Sequence, residues 1–149
     1  MFRGHHLHSM DDKGRVAIPA RFREALAVLQ DERLVVTQFR YRGHNCLDGY
    51  PYSSWRQLEE RLLANHRFDP ENSDLIDAYV SAAVDCTLDA QGRILVPQNL
   101  REHAGLKRDV MFTGRIDMFR LWDQRAWDDV SAASQKIFDD TERLKALKI

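Results

Sequence analysis

The sequence predicts an α+β protein, a mainly β core carrying short helices, and three observations predict it. A stretch running from Met10 to Glu24 returns without a gap as Leu88 to Glu102. Asp11/Asp89, Gly14/Gly92, Arg15/Arg93, Pro19/Pro97, Arg23/Arg101 and Glu24/Glu102 are identical, each pair 78 residues apart, and Met10/Leu88, Val16/Ile94, Ile18/Val96 and Phe22/Leu100 stay apolar. Within each copy apolar residues alternate at the strand period of two, as at Val16 and Ile18 or Ile94 and Val96. A proline then leads into a short amphipathic stretch, with Phe22, Ala25, Leu26 and Leu29 on one face in the first copy and Leu100 and Ala104 in the second. The chain is an internal duplication whose unit reads strand, tight turn, strand, helix.

In order along the chain, residues 5–10 form a first strand with histidines at several positions. Asp11 opens the turn, because a short carboxylate accepts backbone N–H bonds, and Gly14 supplies a position with φ > 0 just before Arg15. Pro19 suits the first helical position, where its missing N–H costs nothing. Residues 34–37 read as a buried strand and 46–50 as its neighbour, with 42–45 as the turn between them. Ser54 with Gln57 makes a capping box for a helix bearing Trp55, Leu58 and Leu62 and ending near His66. Residues 68–73 are rich in turn formers and read as a linker, after which Asp74 caps a helix carrying Leu75, Ile76, Tyr79 and Val80. Residues 84–88 alternate cleanly into the second turn, with Asp89, Gly92 and Arg93 in the roles of Asp11, Gly14 and Arg15. Gly105 stops the following helix. Residues 110–113 and 119–122 repeat the strand pair, and Asp123 caps a last helix through Trp127, Val130, Ser134, Ile137 and Phe138. Trp55 and Trp127 are expected as core anchors, and the charged tail after Asp139 as partly disordered. The expected division is a first module at 5–47, a helical connection and linker at 48–82, a second module at 83–126, and a C-terminal helix and tail at 127–149.

The 149 residues suit two small halves sharing one core, since a unit this short buries too little apolar surface alone. Hydrophobic residues at 44% and charged ones at 30% describe a globular chain, and no apolar run is long enough for a membrane span. Arg3, His5, His6 and His8 interrupt any signal-peptide core, so the cytoplasm is expected. Cys46 and Cys86 stand apart without a C-x-x-C spacing, which fits a reducing compartment better than a disulfide framework. The net charge is −1, from 22 basic and 23 acidic residues, and speaks against a generic nucleic-acid binder. Distribution qualifies this: before residue 45 the basic residues outnumber the acidic ones, while acids gather further on, as at Asp128, Asp129, Asp139 and Asp140.

The Asp-x-x-Gly-Arg turn between strands, followed by an apolar-x-apolar-Pro step into a helix, resembles the AbrB/SpoVT-type swapped-hairpin DNA-binding module. Two such modules in a chain opening Met1-Phe2-Arg3-Gly4 resemble the MraZ family of bacterial transcriptional regulators. The resemblance runs nearly end to end, through Cys46-Leu47, Tyr50-Pro51, Trp55, His103-Ala104-Gly105-Leu106, Asp109-Val110, Gly114, Phe119, Leu121-Trp122-Asp123 and Trp127. It implies tandem swapped-hairpin modules forming a pseudo-two-fold β-barrel and a ring-shaped homo-oligomer associated with the nucleoid. It further implies repression from short repeated boxes of promoter DNA, upstream of the division and cell-wall gene cluster that includes the protein's own gene. The sequence departs from the family where an apolar run is replaced by Asp48-Gly49, which predicts a bulge or weakened edge. It departs again where Asp74 and Asp77 stand in a segment that is usually basic.

The expected DNA contacts are Lys13, Arg15, Arg93 and Arg3, with Asp11, Gly14, Asp89 and Gly92 shaping the turns. Arg supplies a planar fork suited to phosphate or guanine edges, while Lys acts as a point charge. The second turn carries Gln91 where the first has Lys13, so the first should bind phosphate more strongly, and Arg93 either contacts DNA or braces its module or a subunit contact. Arg21, Arg23 and Arg101 read as solvated or paired with Glu24 and Glu102. No catalytic constellation, cofactor, metal, membrane or small-molecule substrate is expected. An antitoxin-like protein-binding module is the first alternative, and a small metal-dependent enzyme using the histidines the second.

Overall fold

A computed structural model describes residues 1–66 and 69–149. The chain is α+β, with a mainly antiparallel sheet and several short helices. Strands β1 (His5–Ser9), β3 (Arg33–Tyr41), β4 (His44–Pro51), β5 (Val84–Thr87), β7 (Asp109–Gly114) and β8 (Phe119–Asp123) form one six-stranded sheet in the order β1-β7-β8-β4-β3-β5. Two three-residue strands, β2 (Arg15–Ala17) and β6 (Arg93–Leu95), form a separate ribbon. Helices α1 (Ala20–Val28) and α4 (Gln98–Ala104) follow that ribbon, α2 (Tyr52–His66) and α5 (Gln124–Ser134) follow β4 and β8, and α3 (Pro70–Leu75) and α6 (Thr141–Ala146) are short helices of six residues.

The expected barrel is corrected: the sheet is not closed. Strands β1 and β5 remain its two edges, because each copy leaves the sheet at its turn and sends its next strand to the other copy. Thus β2 joins the end of its own copy's first strand at the isolated Met10–Val16 bridge and the Asp11 N–H to Arg15 carbonyl bond, while it pairs along its full length with β6, Arg15 opposite Leu95, Val16 opposite Ile94 and Ala17 opposite Arg93. The strand-turn-strand unit is therefore not a self-contained hairpin. The Ile18 N–H donates to the Gly92 carbonyl and the Val96 N–H to the Gly14 carbonyl, both at 2.9 Å, extending the exchange past the ribbon in both directions.

Beneath the ribbon lies the main core. Val16, Ile18, Ile94 and Val96 are fully buried and meet Phe22, Leu26 and Leu100 from α1 and α4, and Leu34, Leu47, Phe112, Phe119 and Leu121 from the sheet. Burial of each such side chain contributes about 1.5–3 kcal/mol. Phe22 stands at the centre, with the rings of Phe119, His6 and Phe2 at 5.1, 5.2 and 5.3 Å. Leu29 falls outside this face and is exposed.

Several local expectations move. Pro19 and Pro97 sit one residue earlier than expected, as N-caps, with helices beginning at Ala20 and Gln98. Helix α2 starts at Tyr52, ahead of the Ser54–Gln57 box, and its opening turn is held by Asp31, whose Oδ2 accepts from the Ser53 N–H and hydroxyl at 3.2 and 2.7 Å. Of the expected linker, Phe68 lies outside the described residues. From Pro70 the chain is already helical: Asp69, not Asp74, is the cap, accepting the Glu71 N–H at 3.0 Å. A π-helical turn, Ile76–Val80, follows. Gly105 does end α4, at φ 61°, and Asp123 does cap α5. The tail folds back into helix at α6, capped by Asp140. Trp55 is buried as expected, but Trp127 is only half-buried, its ring against His5 and Trp122.

Asp48 and Gly49 form no bulge. β4 is an interior strand, paired on both sides, and Gly49 is needed because a Cβ there would lie 2.5 Å from the Phe119 ring. Asp48 is buried and accepts from Arg120 Nε at 2.7 Å and from the Tyr79 hydroxyl at 2.5 Å.

Candidate nucleic-acid interface

Each Asp-x-x-Gly-Arg turn is closed by one carboxylate. Asp11 Oδ1 accepts the N–H groups of Lys13 and Arg15 at 3.0 and 2.9 Å, and Oδ2 accepts from Arg15 Nε at 2.7 Å. Asp89 repeats this with Gln91, Arg93 and Arg93 Nε, each at 2.9 Å. These bonds hold both carboxyls below the ordinary carboxylate range, the arginine backbone N–H being the largest cause and the guanidinium adding to it. Gly14 at φ 90° and Gly92 at φ 73° turn the chain through a region closed to most residues.

The turns deliver their arginines to one surface. Because Arg15 opposes Leu95 and Arg93 opposes Ala17, these four side chains share the ribbon's outer face, while Val16 and Ile94 fill the inner one. Arg15 and Arg93 are diagonal neighbours across the ribbon. Each guanidinium is held at Nε by its aspartate, and its Nη atoms have no hydrogen-bond partner among the described residues. The face therefore offers two oriented forks of N–H donors. Lys13 is exposed at the first tip, and Gln91 takes its place at the second. Arg3 lies apart, at the other end of β1, lining a shallow pocket with Arg21 and Glu24.

Sequence reasoning missed two residues of this site. Arg101 of the second copy lies over the first turn, so close that a Cβ on Gly14 would come within 2.6 Å of its Nε, and it donates to the Val96 carbonyl at 3.0 Å. Arg23 of the first copy covers Gly92 in the same way, 2.7 Å from such a Cβ. Neither is paired with Glu24 or Glu102; Arg101 is half-buried and clamps the other copy's turn, whereas Arg23 is exposed, as expected, and lies against that turn. The signal was their identity in both copies, at a helical position where pairing within a copy had no need of it.

The three histidines of β1 pack as rings: His5 on Trp127, His6 on Phe22 and His8 on Phe112. Burial is the first cause lowering the His8 pKa, with His6 and Arg23 adding to it. Cys46 and Cys86 are free and buried, and burial pushes their thiols up to about 12 and about 11. No helix among the described residues is long and apolar enough to cross a membrane.

A duplicated chain whose halves exchange strands into one ribbon, each with a carboxylate-closed turn presenting an oriented arginine, defines a class of small β-ribbon proteins with arginines on the ribbon's outer face. A family model described as "MraZ protein, putative antitoxin-like" matches residues 1–77 and 80–148. Proteins named "Transcriptional regulator MraZ" are similar along most of their length. The one from Desulfitobacterium hafniense is 41% identical over 93% of this chain and 92% of its own. Those from Pseudomonas putida and Acidithiobacillus ferrooxidans are 42% and 40% identical, over 89% and 86% of this chain and 87% and 86% of their own. The chain belongs to the MraZ family, whose relatives carry the name of transcriptional regulators.

Proposed function

We propose that this protein is a sequence-specific DNA-binding repressor working in the cytoplasm on the nucleoid. It acts as a ring-shaped homo-oligomer on repeated boxes of promoter DNA upstream of the division and cell-wall gene cluster that includes its own gene. The supporting observation is the outer face of the β2–β6 ribbon, where Arg15 and Arg93 point the same way with their Nη donors uncommitted among the described residues. A two-stranded ribbon fits a major groove about 12 Å wide, and arginine forks suit guanine edges and phosphates alike. In this reading the exchange of β2 and β6 is the tandem swapped hairpin, the modules are 5–47 and 83–126, Lys13 adds a phosphate contact, and Arg3 is a remote secondary one. A ring repeats weak contacts, so that avidity on repeated boxes replaces a strongly basic net charge.

The experiment is fluorescence anisotropy on duplex DNA from upstream of the protein's own gene, beside sedimentation of the free protein. The expected mass is several times 17.4 kDa. Arg15→Ala should weaken binding by about 1–3 kcal/mol per loop engaged, and Arg93→Ala by less, since its loop lacks the second cation. Unchanged binding in Arg15→Ala would overturn the reading. The antitoxin-like wording of the family description favours one second reading, a ribbon that grips a protein; it predicts no salt-dependent affinity for that duplex.

A further inference from the structure

The two turns differ by more than Lys13 and Gln91. In the strand ladders Ser9 of the first copy stands opposite Asp109, and its repeat mate Thr87 stands opposite Arg33. One residue on, the Met10 N–H donates to the Arg108 carbonyl at 2.8 Å, and the Leu88 N–H to the Glu32 carbonyl at 3.1 Å. The segment facing the first turn is thus Lys107-Arg108-Asp109, and the segment facing the second, position for position, is Asp31-Glu32-Arg33. The charge is inverted at every position.

Lys107 and Arg108 are exposed and line a shallow cleft of about 580 Å³ against the first turn, shared with Asp11, Asp12 and Arg101. Of the acids in this cleft Asp11 is taken up by Arg15 and Asp12 is outnumbered by Lys107, Arg108 and Arg101, while Asp109 and Asp123 line a neighbouring pocket, where Asp123 caps α5. The matching cleft at the second turn is lined by Asp31, Glu32, Asp89 and Arg23, with Glu32 exposed and Asp31 engaged at the start of α2. A polyanion passing the ribbon therefore meets a cationic shoulder at one end and an anionic one at the other.

We infer that Lys107 and Arg108, supplied by the second half, are backbone-phosphate contacts that complete the first half's turn, and that Asp31-Glu32 keep phosphate away from the second turn. DNA then lies across the ribbon in one direction only, running out past Lys107 and Arg108. This rests on the proposed DNA-binding function and assigns residues to it.

The test is the salt dependence of binding by the full chain, measured with the promoter-proximal duplex and with a scrambled duplex of equal length. Each phosphate contact contributes a slope of about −0.9 in log affinity against log salt. Between 50 and 200 mM salt, the affinity loss of Lys107→Gln/Arg108→Gln should be about tenfold smaller than that of the unaltered protein, per chain engaged and on both duplexes. Glu32→Arg should bind more tightly at low salt and lose about threefold more over the same range. Melting temperatures of both variants should match the unaltered protein, because all three side chains are exposed. An unchanged slope in the double variant while Arg15→Ala loses binding would overturn this inference alone. An Arg15→Ala protein that binds as before would remove the DNA reading with it.

Discussion

At the residue scale the site depends on two aspartates that each take three donors and leave an arginine aimed outwards. Those roles are legible in the sequence, because Asp, Gly and Arg at that spacing admit few other uses in a tight turn. The cross-copy contacts were not legible, since Arg23 and Arg101 lie against the other copy's turns and nothing local shows which surface a helix will meet. The carboxyls of Asp11 and Asp89 are held below their ordinary range. A depressed carboxylate contributes stability that is fully present above the unfolded value, near 3.9, and is lost as pH falls through the lower folded value. Stability of the unaltered protein should therefore carry an acid limb below about pH 4 that the Asp11→Asn/Asp89→Asn double variant partly lacks. The variant should also melt lower at pH 7, because one amide end now faces a guanidinium with a donor. Melting curves from pH 7 to pH 3 decide it, and parallel pH profiles for the two proteins would count against the turn's dependence on ionised aspartate.

At the element scale the informative case is β4, which reads locally as a damaged strand. A charge followed by glycine breaks the apolar alternation, and the partner that explains it, Arg120, is 72 residues away. Asp48 and Arg120 stand opposite each other in the β4–β8 ladder, with side chains 2% and 7% exposed, so neither charge is screened by water. Tyr79 brings the π-helical turn into this pair, donating to Asp48 and sharing a 2.8 Å hydrogen bond with the Tyr50 hydroxyl. Its own pKa is raised, by burial first and then by the Asp48 charge. The network thus ties the segment between the two halves to the middle of the sheet. Tyr79→Phe should cost about 1.5–3 kcal/mol, as for a hydrogen bond to a charged group. Asp48→Ala should cost about 3–5 kcal/mol, because it strands a buried guanidinium. Urea unfolding measures both, and a Tyr79→Phe loss within about 0.5 kcal/mol, the range of ordinary surface changes, would show that the network contributes little.

At the scale of the whole molecule, the duplication was plain from the repeated residues, but its consequence for the fold was not. Val16 and Ile18 have the same period-two pattern whether their strand returns to its own hairpin or crosses to the other copy, so the sequence cannot tell a closed barrel from an open sheet with an exchanged ribbon. The crossing makes the halves interdependent: removal of the second leaves β2 without β6, β3 without β5 on one side, and β4 without β8. It also strips Val16, Ile18 and Phe22 of the apolar partners that bury them. A fragment of residues 1–82 should therefore not fold as a monomer. Since its β2 resembles the missing β6 in pattern, two fragments can exchange strands with each other, and any folded form should be at least a dimer. Its melting temperature should rise with protein concentration, as mass action requires of a fold that exists only in association. Adding the 83–149 fragment should raise that temperature further, because the mixed pair restores the native ribbon and the Arg101 clamp on Gly14. Calorimetry over a hundredfold concentration range, with sedimentation at each end, is the measurement. A monomeric 1–82 fragment with a cooperative, concentration-independent transition would show that the first half folds without the exchange.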